Sequence, residues 1–353
     1  MDLEKLRKKI DILDTKLISL LNLRAKVTKE IGKVKINSGK SIYSAERETQ
    51  VLRKIAGLNK GPLKKGALEA IYREVMSASL ALEKPLKIAY LGPQASFTNL
   101  AALKKFGSQV GYIACNSISE VFLEVQRGSA DYGVVPIENS IEGAVSHTLD
   151  VFVDADLLIC SQIILDVSHN LLANCAKDKI RKVYSNPQVF GQCRIWLEKN
   201  LPNAQLIDLS STTRAAELAK KEKNSAAIAS LLASKVYGLK VLASGIEDSP
   251  HNITRFLVIG KNVSAPTGRD KTSLLFSIKD RVGALYSILL LFRKYGINLT
   301  KIESRPSKKK AWEYYFFVDI LGHQHNDLVK KALRELEQKC TYLKILGSYP
   351  IGE

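Results

Sequence analysis

Apolar residues recur along the first 34 positions in alternating steps of three and four: Leu3, Leu6, Ile10, Leu13, Leu17, Leu20, Val27, Ile31 and Val34. This spacing predicts a single amphipathic helix of about 30 residues, roughly 45 Å long. Arg24 breaks the seam between Leu20 and Val27. A helix of this length cannot bury its seam within a three-helix domain, so a partner chain is the economical cover. Ser44 predicts the N-cap of a second helix with Arg47 and Glu48 in its first turn. Gly61-Pro62 predicts the start of a third, with Leu68, Ile71, Val75, Ser79 and Leu82 on one face and Pro85 ending it.

The period then changes. Short apolar runs such as "LKIAYLG", "DYGVVPIE", "LLICSQIIL", "SAAIAS" and "TRFLVIG" alternate with helical stretches such as Thr98–Lys105 and Thr213–Lys221. That alternation predicts an α/β segment with mostly parallel strand pairing, long enough for two lobes about a cleft. Pro266-Thr267-Gly268 marks an exit linker. The remainder reads strand, helix, strand, strand, helix, strand: the βαββαβ order of ferredoxin-like domains. The predicted boundaries are residues 1–85, 86–265 and 270–353.

Net charge is +18, unevenly spread: residues 1–86 carry 19 basic against 10 acidic side chains, residues 87–265 carry 18 against 16, and the rest 16 against 9. No nucleic-acid-binding signature accompanies the charge, and attraction of an anionic metabolite accounts for a basic helical segment at least as well. Lys308 to Lys310 read as solvated lysines of a hairpin loop. No apolar run approaches the roughly 18 residues of a membrane span, and "MDLEKLRKKI" is no secretory signal. Five scattered cysteines without C-x-x-C spacing fit reduced thiols of a cytoplasmic protein. His323 and His325 read as loop residues, and no metal or cofactor is expected.

Two clusters carry chemistry. Arg24, Thr28, Ile31 and Lys35 are spaced 0, 4, 7 and 11, so the arginine and lysine share a helical face about 16 Å apart. An arginine on an apolar seam needs an anion, either a glutamate of the chain or a ligand. Arg47 and Glu48 could close such a pocket, and Arg7 could join it from another helix or subunit. Three arginines and a lysine make a clamp for a dicarboxylate. The second cluster is "VVPIENSIEGAV", where Glu138, Asn139 and Ser140 follow a buried strand, a usual setting for a small-molecule site.

The motifs extend this reading. "LRKKIDILDTKLISLLNLRAKVTKEIGKVK", "ERE" and "IYREVMSASLAL" resemble the all-helical chorismate mutase family over residues 1–84. "YLGPQASFT", "VPIENSIEGAV", "SNPQVFGQCRIWL" and "DSPHNITRFLVIG" resemble prephenate dehydratase over 87–261. "GALYSILLLFRKYGINLTKIESRP" is similar to the phenylalanine-binding ACT domain. The whole chain follows the order of the bifunctional chorismate mutase–prephenate dehydratase family. The resemblance implies an intertwined dimeric three-helix domain, a two-lobed periplasmic-binding-like α/β domain and a ferredoxin-like ACT domain. It also implies a homodimer or higher homo-oligomer, with no nucleic-acid or membrane partner.

By matching position the resemblance implies roles. Arg7 of the partner subunit, Arg24 and Arg47 would hold chorismate's carboxylates; Lys35 would donate to its ether oxygen and Glu48 would hold its hydroxyl, with Ser79 and Glu83 completing the pocket. Glu83 stands where well-known members have glutamine, which puts an acceptor in place of a donor if it is ionised. In the dehydratase, Ser96, Asn139, Ser140, Ser185, Gln188 and Gln192 would bind prephenate. Thr254 would act on its leaving hydroxyl, and Arg255 would anchor a carboxylate or fix the turn. Asn186 replaces a histidine common in the family, and "QAS" at 94–96 replaces Glu-Gly-Thr. L-Phenylalanine would bind near Gly283, Ala284 and Leu285 and near Glu303, Ser304, Arg305 and Pro306; Tyr286 replaces a small apolar residue. Two rivals remain: a regulator with a helical DNA-binding head, which should show two short helices about a tight turn, and a dehydratase whose helical domain only dimerises.

Overall fold

Helix α1 (Leu3–Asn37) is started by the Asp2 carboxylate, which accepts from the Glu4 N–H. The computed structural model describes residues 2–307 and 313–351, so Lys308–Lys310 lie outside the described residues. Ser44 caps α2 (Ala45–Leu58) by accepting from the Arg47 N–H at 3.1 Å. Helix α3 (Lys65–Glu83) begins three residues beyond Pro62. Asn59 takes over the intervening turn, accepting from the Gly61 N–H and donating to the Leu63 carbonyl, so the first helical turn forms later. Helix α1 meets α3 at Gly32, where a Cβ would lie 2.9 Å from the Glu83 Cα. Glycine is required there for the helices to close on each other. Towards its N-terminus α1 is bare: Leu13, Leu17 and Leu20 are 61%, 55% and 64% exposed. A single helix of 35 residues rules out two short helices about a tight turn.

The helical unit comprises residues Met1–Lys87 and also Lys105–Gly111, a stretch that the sequence pattern places in the α/β segment. The second unit contains everything else. Its first lobe runs through β1 (Lys87–Leu91), α4 (Phe97–Phe106), β2 (Gly111–Cys115), α5 (Ile118–Arg127), β3 (Tyr132–Asn139), β4 (Gly143–Ala144), α6 (Ser146–Asp154) and β5 (Leu158–Asp166). Its second lobe runs through β6 (Asn170–Ala173), β7 (Lys182–Ser185), α7 (Pro187–Gln192), α8 (Arg194–Asn200), β8 (Gln205–Asp208), α9 (Thr212–Lys221), β9 (Ser225–Ala229), α10 (Leu231–Tyr237) and β10 (Lys240–Ser244). Strand β11 (Ile253–Gly260) then returns to the first lobe.

The sheets are ordered β2-β1-β3-β11-β5, with β4 on β3, and β10-β6-β9-β7-β8. Pairing is mixed, which corrects the expectation of mostly parallel strands. The returning β11 inserts antiparallel between β3 and β5, and β6 pairs antiparallel with both β9 and β10. The physical reason is the double crossing between lobes: a strand arriving from the other lobe enters its sheet from the opposite end.

The C-terminal domain follows the βαββαβ order: β12 (Asp270–Ser277), α11 (Ala284–Lys294), β13 (Leu299–Pro306), β14 (Tyr314–Leu321), α12 (Asp327–Lys339) and β15 (Tyr342–Pro350). Its sheet, β13-β14-β12-β15, is antiparallel and carries both helices on one face, packed through Phe276, Ile288, Phe292 and Leu336. The other face packs on the first lobe, where Leu275, Phe317, Leu346 and Tyr349 share one core with Ile137, Phe152, Ile159 and Leu257. Contact is backbone to backbone at Gly347, where a Cβ would fall 2.3 Å from the Ile159 carbonyl oxygen.

A charged cluster crosses the same junction. Arg255 of β11 donates to Asp319 Oδ2 on β14 at 2.6 Å and to the Tyr349 hydroxyl on β15 at 2.8 Å. Lys301 of β13 lies 3.0 Å from Glu138 Oε2 on β3, and Lys271 of β12 lies 3.8 Å from Asp319. Burial pulls the Arg255 guanidinium down, but Tyr349 and Asp319 outweigh it and leave it above its usual value. Burial and the adjacent Arg255 push the Lys271 ammonium below its usual value. Asp319→Ala strands a buried guanidinium, which costs about 3–5 kcal/mol. A denaturant midpoint for this unit indistinguishable from that of the parent would refute that.

Candidate active sites

The helical unit encloses a cavity of about 370 Å³ between its helices and Lys105–Phe106. Five basic side chains line it (Arg24, Lys35, Arg47, Arg73 and Lys105) against two carboxylates, Glu48 and Glu83. The imbalance suits a dianion. Arg24 donates to Ser79 Oγ, which in turn donates to the Val75 carbonyl at 2.8 Å. Among the described residues Arg24 pairs with no carboxylate, so its charge is left for a ligand. Lys35 Nζ contacts the Ile42 carbonyl at 2.6 Å and Glu83 Oε2 at 2.8 Å. Glu83, with only 7% of its side chain exposed, is therefore built into the pocket as the lysine's partner. The Tyr43 hydroxyl and the Lys105 ammonium each lie 2.7 Å from Glu48 Oε2. Among the described residues the Arg47 guanidinium has one hydrogen bond, a donation to Gln50 Oε1 at 3.4 Å.

Arg7 is exposed and takes no part in this cavity. It stands 17 positions before Arg24 on α1, about 25 Å along the axis. Sequence reasoning missed Tyr43, Arg73 and Lys105. Tyr43 carries no motif signal, Arg73 lies within the quoted "IYREVMSASLAL" but off the face that carries Ser79, and Lys105 lies outside the helical segment in sequence.

The second constellation lies where β3 and β11 end side by side. The Asn139 amide donates to Thr254 Oγ1 and to Asn252 Oδ1, each at 2.8 Å, while its carbonyl oxygen accepts from the Ile141 and Glu142 N–H groups. Ser140 Oγ donates to the His251 carbonyl and accepts from the Ile253 N–H. Asn252 continues the network, donating to Gln192 Oε1 of α7 at 2.9 Å, and His169 Nε2 lies 2.9 Å from the same oxygen. Gln192 also reaches Glu142 across the cleft at 3.2 Å. Burial pushes the His169 imidazole below its usual value, partly offset by Gln192 and Glu247.

Gln188 and Gln192 line an open groove with Ile141 and Glu142. Ser185 is fully buried at the end of β7 and donates to the Ile228 carbonyl. Ser96 Oγ donates to the Leu91 carbonyl and accepts from the Asn99 N–H, which starts α4. Two charged side chains face away from this site. Arg255 is turned to Asp319 and Tyr349, and Glu138 to Arg255 and Lys301, because neighbours on a strand point to opposite faces. Arg255 is therefore not placed to anchor a ligand carboxylate in the cleft. Asn252 and His169 were missed: Asn252 lies within the quoted "DSPHNITRFLVIG" but was assigned no role, and His169 carries no local signal.

At the third site Gly283 takes φ +76° and starts α11, a conformation only glycine adopts cheaply. Ala284 and Leu285 follow in the first turn. Glu303, Ser304, Arg305 and Pro306 end the edge strand β13, and Arg305 lies 3.6 Å from Asp150 of α6. His323 is buried, with Nε2 2.9 Å from the Ser264 carbonyl.

The chain matches family models described as chorismate mutase type II over residues 6–84, prephenate dehydratase over 88–264 and ACT domain over 272–338. A bifunctional chorismate mutase/prephenate dehydratase of Aquifex aeolicus is 51% identical to it over 99% of this chain and 98% of its own length. The chain belongs to the bifunctional chorismate mutase/prephenate dehydratase family. Among solved structures, a prephenate dehydratase from Arthrobacter aurescens in complex with L-Phe is 33% identical, with a TM-score of 0.71, covering 75% of this chain and 90% of that one. A structure described as GqqA, a novel type of quorum quenching acylase, is 27% identical, with a TM-score of 0.70, covering 75% and 98%. The fold thus hosts more than one described activity, and the side chains of the site have to choose between them.

Because Asn252 joins Asn139 on one lobe to Gln192 on the other, Asn252→Ala should lower kcat/KM for prephenate by about tenfold, the scale of one buried hydrogen-bonded contact. Mutase turnover in the same preparation should be unchanged. A dehydratase unaffected by the substitution would show that the bridge is dispensable.

Proposed function

We propose that the three constellations divide one short pathway between them. The helical unit converts chorismate to prephenate, the α/β lobes convert prephenate to phenylpyruvate, and L-phenylalanine acts on the ACT domain. The observation that carries the first assignment is the cavity lined by five basic side chains. The chorismate rearrangement breaks a C–O bond as a C–C bond forms, without nucleophile or metal. It needs a dianion held in a reactive conformation and a donor at the ether oxygen. Arg24 and Arg47 hold carboxylates, Lys35 faces the ether oxygen, Glu48 accepts from the hydroxyl, and Ser79 and Glu83 position Arg24 and Lys35.

In the dehydratase, the carboxylate-bearing ring carbon gives up carbon dioxide, the bonding pair enters the ring, and hydroxide leaves the opposite carbon as the ring becomes aromatic. A donor at the leaving oxygen lowers that barrier. The Asn139 amide donates into the Thr254 oxygen, so the Thr254 proton is free to point at the leaving group. Ser140, Gln188 and Gln192 serve the substrate's other oxygens, with Ser96 and Ser185 shaping the strand ends around them.

The chain acts as a homodimer or a higher homo-oligomer. Two open faces support this: the bare seam of α1, and the β13 edge, where Ile302 and the neighbouring Tyr314 of β14 are exposed. A second α1 lying along the first covers the seam and brings the partner's Arg7 towards the cavity. The exposed β13 edge also carries the Glu303–Pro306 segment, so one part of the effector site and the assembly face share a strand. Among the described residues no helix is long and apolar enough to cross a membrane. The five cysteines stand as thiols, which supports a cytoplasmic setting.

Chorismate supplied to the purified chain should yield phenylpyruvate. Thr254→Ala should stop the sequence at prephenate, lowering dehydratase turnover at least about tenfold, while Arg24→Ala should block chorismate consumption and spare the dehydratase. Thr254→Ala with full dehydratase turnover refutes the leaving-group assignment. An Arg24→Ala protein that still consumes chorismate normally refutes the pocket.

A further inference from the structure

Glu48, read above as the carboxylate that accepts from the substrate hydroxyl, is held by Tyr43 from within the mutase match and by a second group from outside it. Three basic residues of the helical segment that line the cavity turn to other partners: Arg24 to Ser79, Lys35 to Glu83 and Ile42, Arg47 to Gln50. Among the described residues Lys105 is the cation at Glu48, 2.7 Å from Oε2. Lys105 lies in the stretch that matches the prephenate dehydratase model, 21 positions beyond the end of the chorismate mutase match at residue 84. Yet residues Lys105–Gly111 cluster with the helical unit.

The segment is anchored along its length. The Phe106 ring packs on Tyr43 with centroids 5.0 Å apart. Gly107 lies so close to Ser77 that a Cβ would fall 2.5 Å from the serine Cβ. The Ser108 N–H and hydroxyl both donate to Glu74 Oε2, and the Gln109 N–H donates to Ser77 Oγ at 3.0 Å. The Lys105 and Glu48 side chains are 17% and 13% exposed, so the pair is shielded from solvent screening.

We propose that Lys105 is a positioning residue of the mutase site. With the Tyr43 hydroxyl it fixes Oε2 of Glu48, and among the described residues Oε1 takes no hydrogen bond and is left for the substrate. The mutase pocket is then complete only when the stretch that follows β1 is present. This inference rests on the mutase reading of the cavity and adds to it a residue that the boundaries of the two sequence families do not assign.

The test uses the full-length chain. Lys105→Met keeps the aliphatic stem beside Tyr43 and removes the charge; it should raise KM for chorismate about tenfold with kcat little changed, the pattern of a lost binding contact. Lys105→Arg should recover most of the loss. In a Glu48→Gln background, Lys105→Met should add nothing, because its effect runs through that carboxylate. Dehydratase turnover in the same samples reports intact folding and should not move. A normal KM in Lys105→Met, beside an impaired Glu48→Gln, overturns the proposal while leaving the mutase reading intact. Additive losses in the double variant also overturn it. Normal chorismate consumption in Glu48→Gln and Arg24→Ala alike would instead overturn the mutase reading. If Lys105→Met lowers both activities, Lys105→Arg decides: recovery of dehydratase turnover without recovery of KM counts against the proposal.

Discussion

A guanidinium buried between two sheets has to be matched by anions, and Arg255 meets that requirement by reaching from the dehydratase into the ACT domain. Its partners, Asp319 and Tyr349, belong to β14 and β15, and its neighbour in sequence, Thr254, hydrogen bonds Asn139 at the cleft. Alternation along a strand forces the two side chains to opposite faces. One strand therefore presents a hydroxyl to the cleft on one side and an ion pair to the ACT domain on the other. Glu138 and Asn139 do the same on β3, so two adjacent strands share the arrangement. Removing either partner of such a pair costs more than the pair contributes, because the remaining charge stays buried. The shared core around Leu346, Tyr349 and Ile159 keeps that junction dry.

The helical unit solves a different electrostatic problem. It gathers basic groups around a cavity and neutralises only some of them, since the remaining charge is what a dianion needs. Glu83 and Ser79 satisfy Lys35 and Arg24 in part, and Gly32 permits the close helix crossing that makes those contacts possible. The same helix leaves Leu13, Leu17 and Leu20 in solvent, a pattern that an isolated chain cannot maintain cheaply. One element thus carries both features: its C-terminal half lines the cavity and its N-terminal half leaves the seam open.

How far the sequence reaches depends on the range of the interaction. Periodicity alone marks α1, the Ser44 cap and the βαββαβ order, because each rests on contacts within a few residues. It places Arg24 and Lys35 on one face for the same reason. It misplaces the start of α3 by three residues, where the Asn59 side chain decides the turn, and misjudges strand direction, where the returning β11 decides the pairing. Strand alternation, applied to Glu138 and Asn139, would have separated the two, but which face looks into the cleft depends on where the ACT domain packs.

The amino-acid sequence by itself determined the three segments, their order, their family and most of the polar groups at each strand end. Those follow from local propensity, short-period patterns and contiguous motifs. Only the tertiary structure decided that Asn252 ties Asn139 to Gln192, that Arg255 serves the domain junction, and that Lys105 belongs with Glu48. These pairs are separated by tens to more than a hundred positions. Such contacts are chosen by chain crossings and by the need to pair every buried charge, and neither leaves a mark on neighbouring residues.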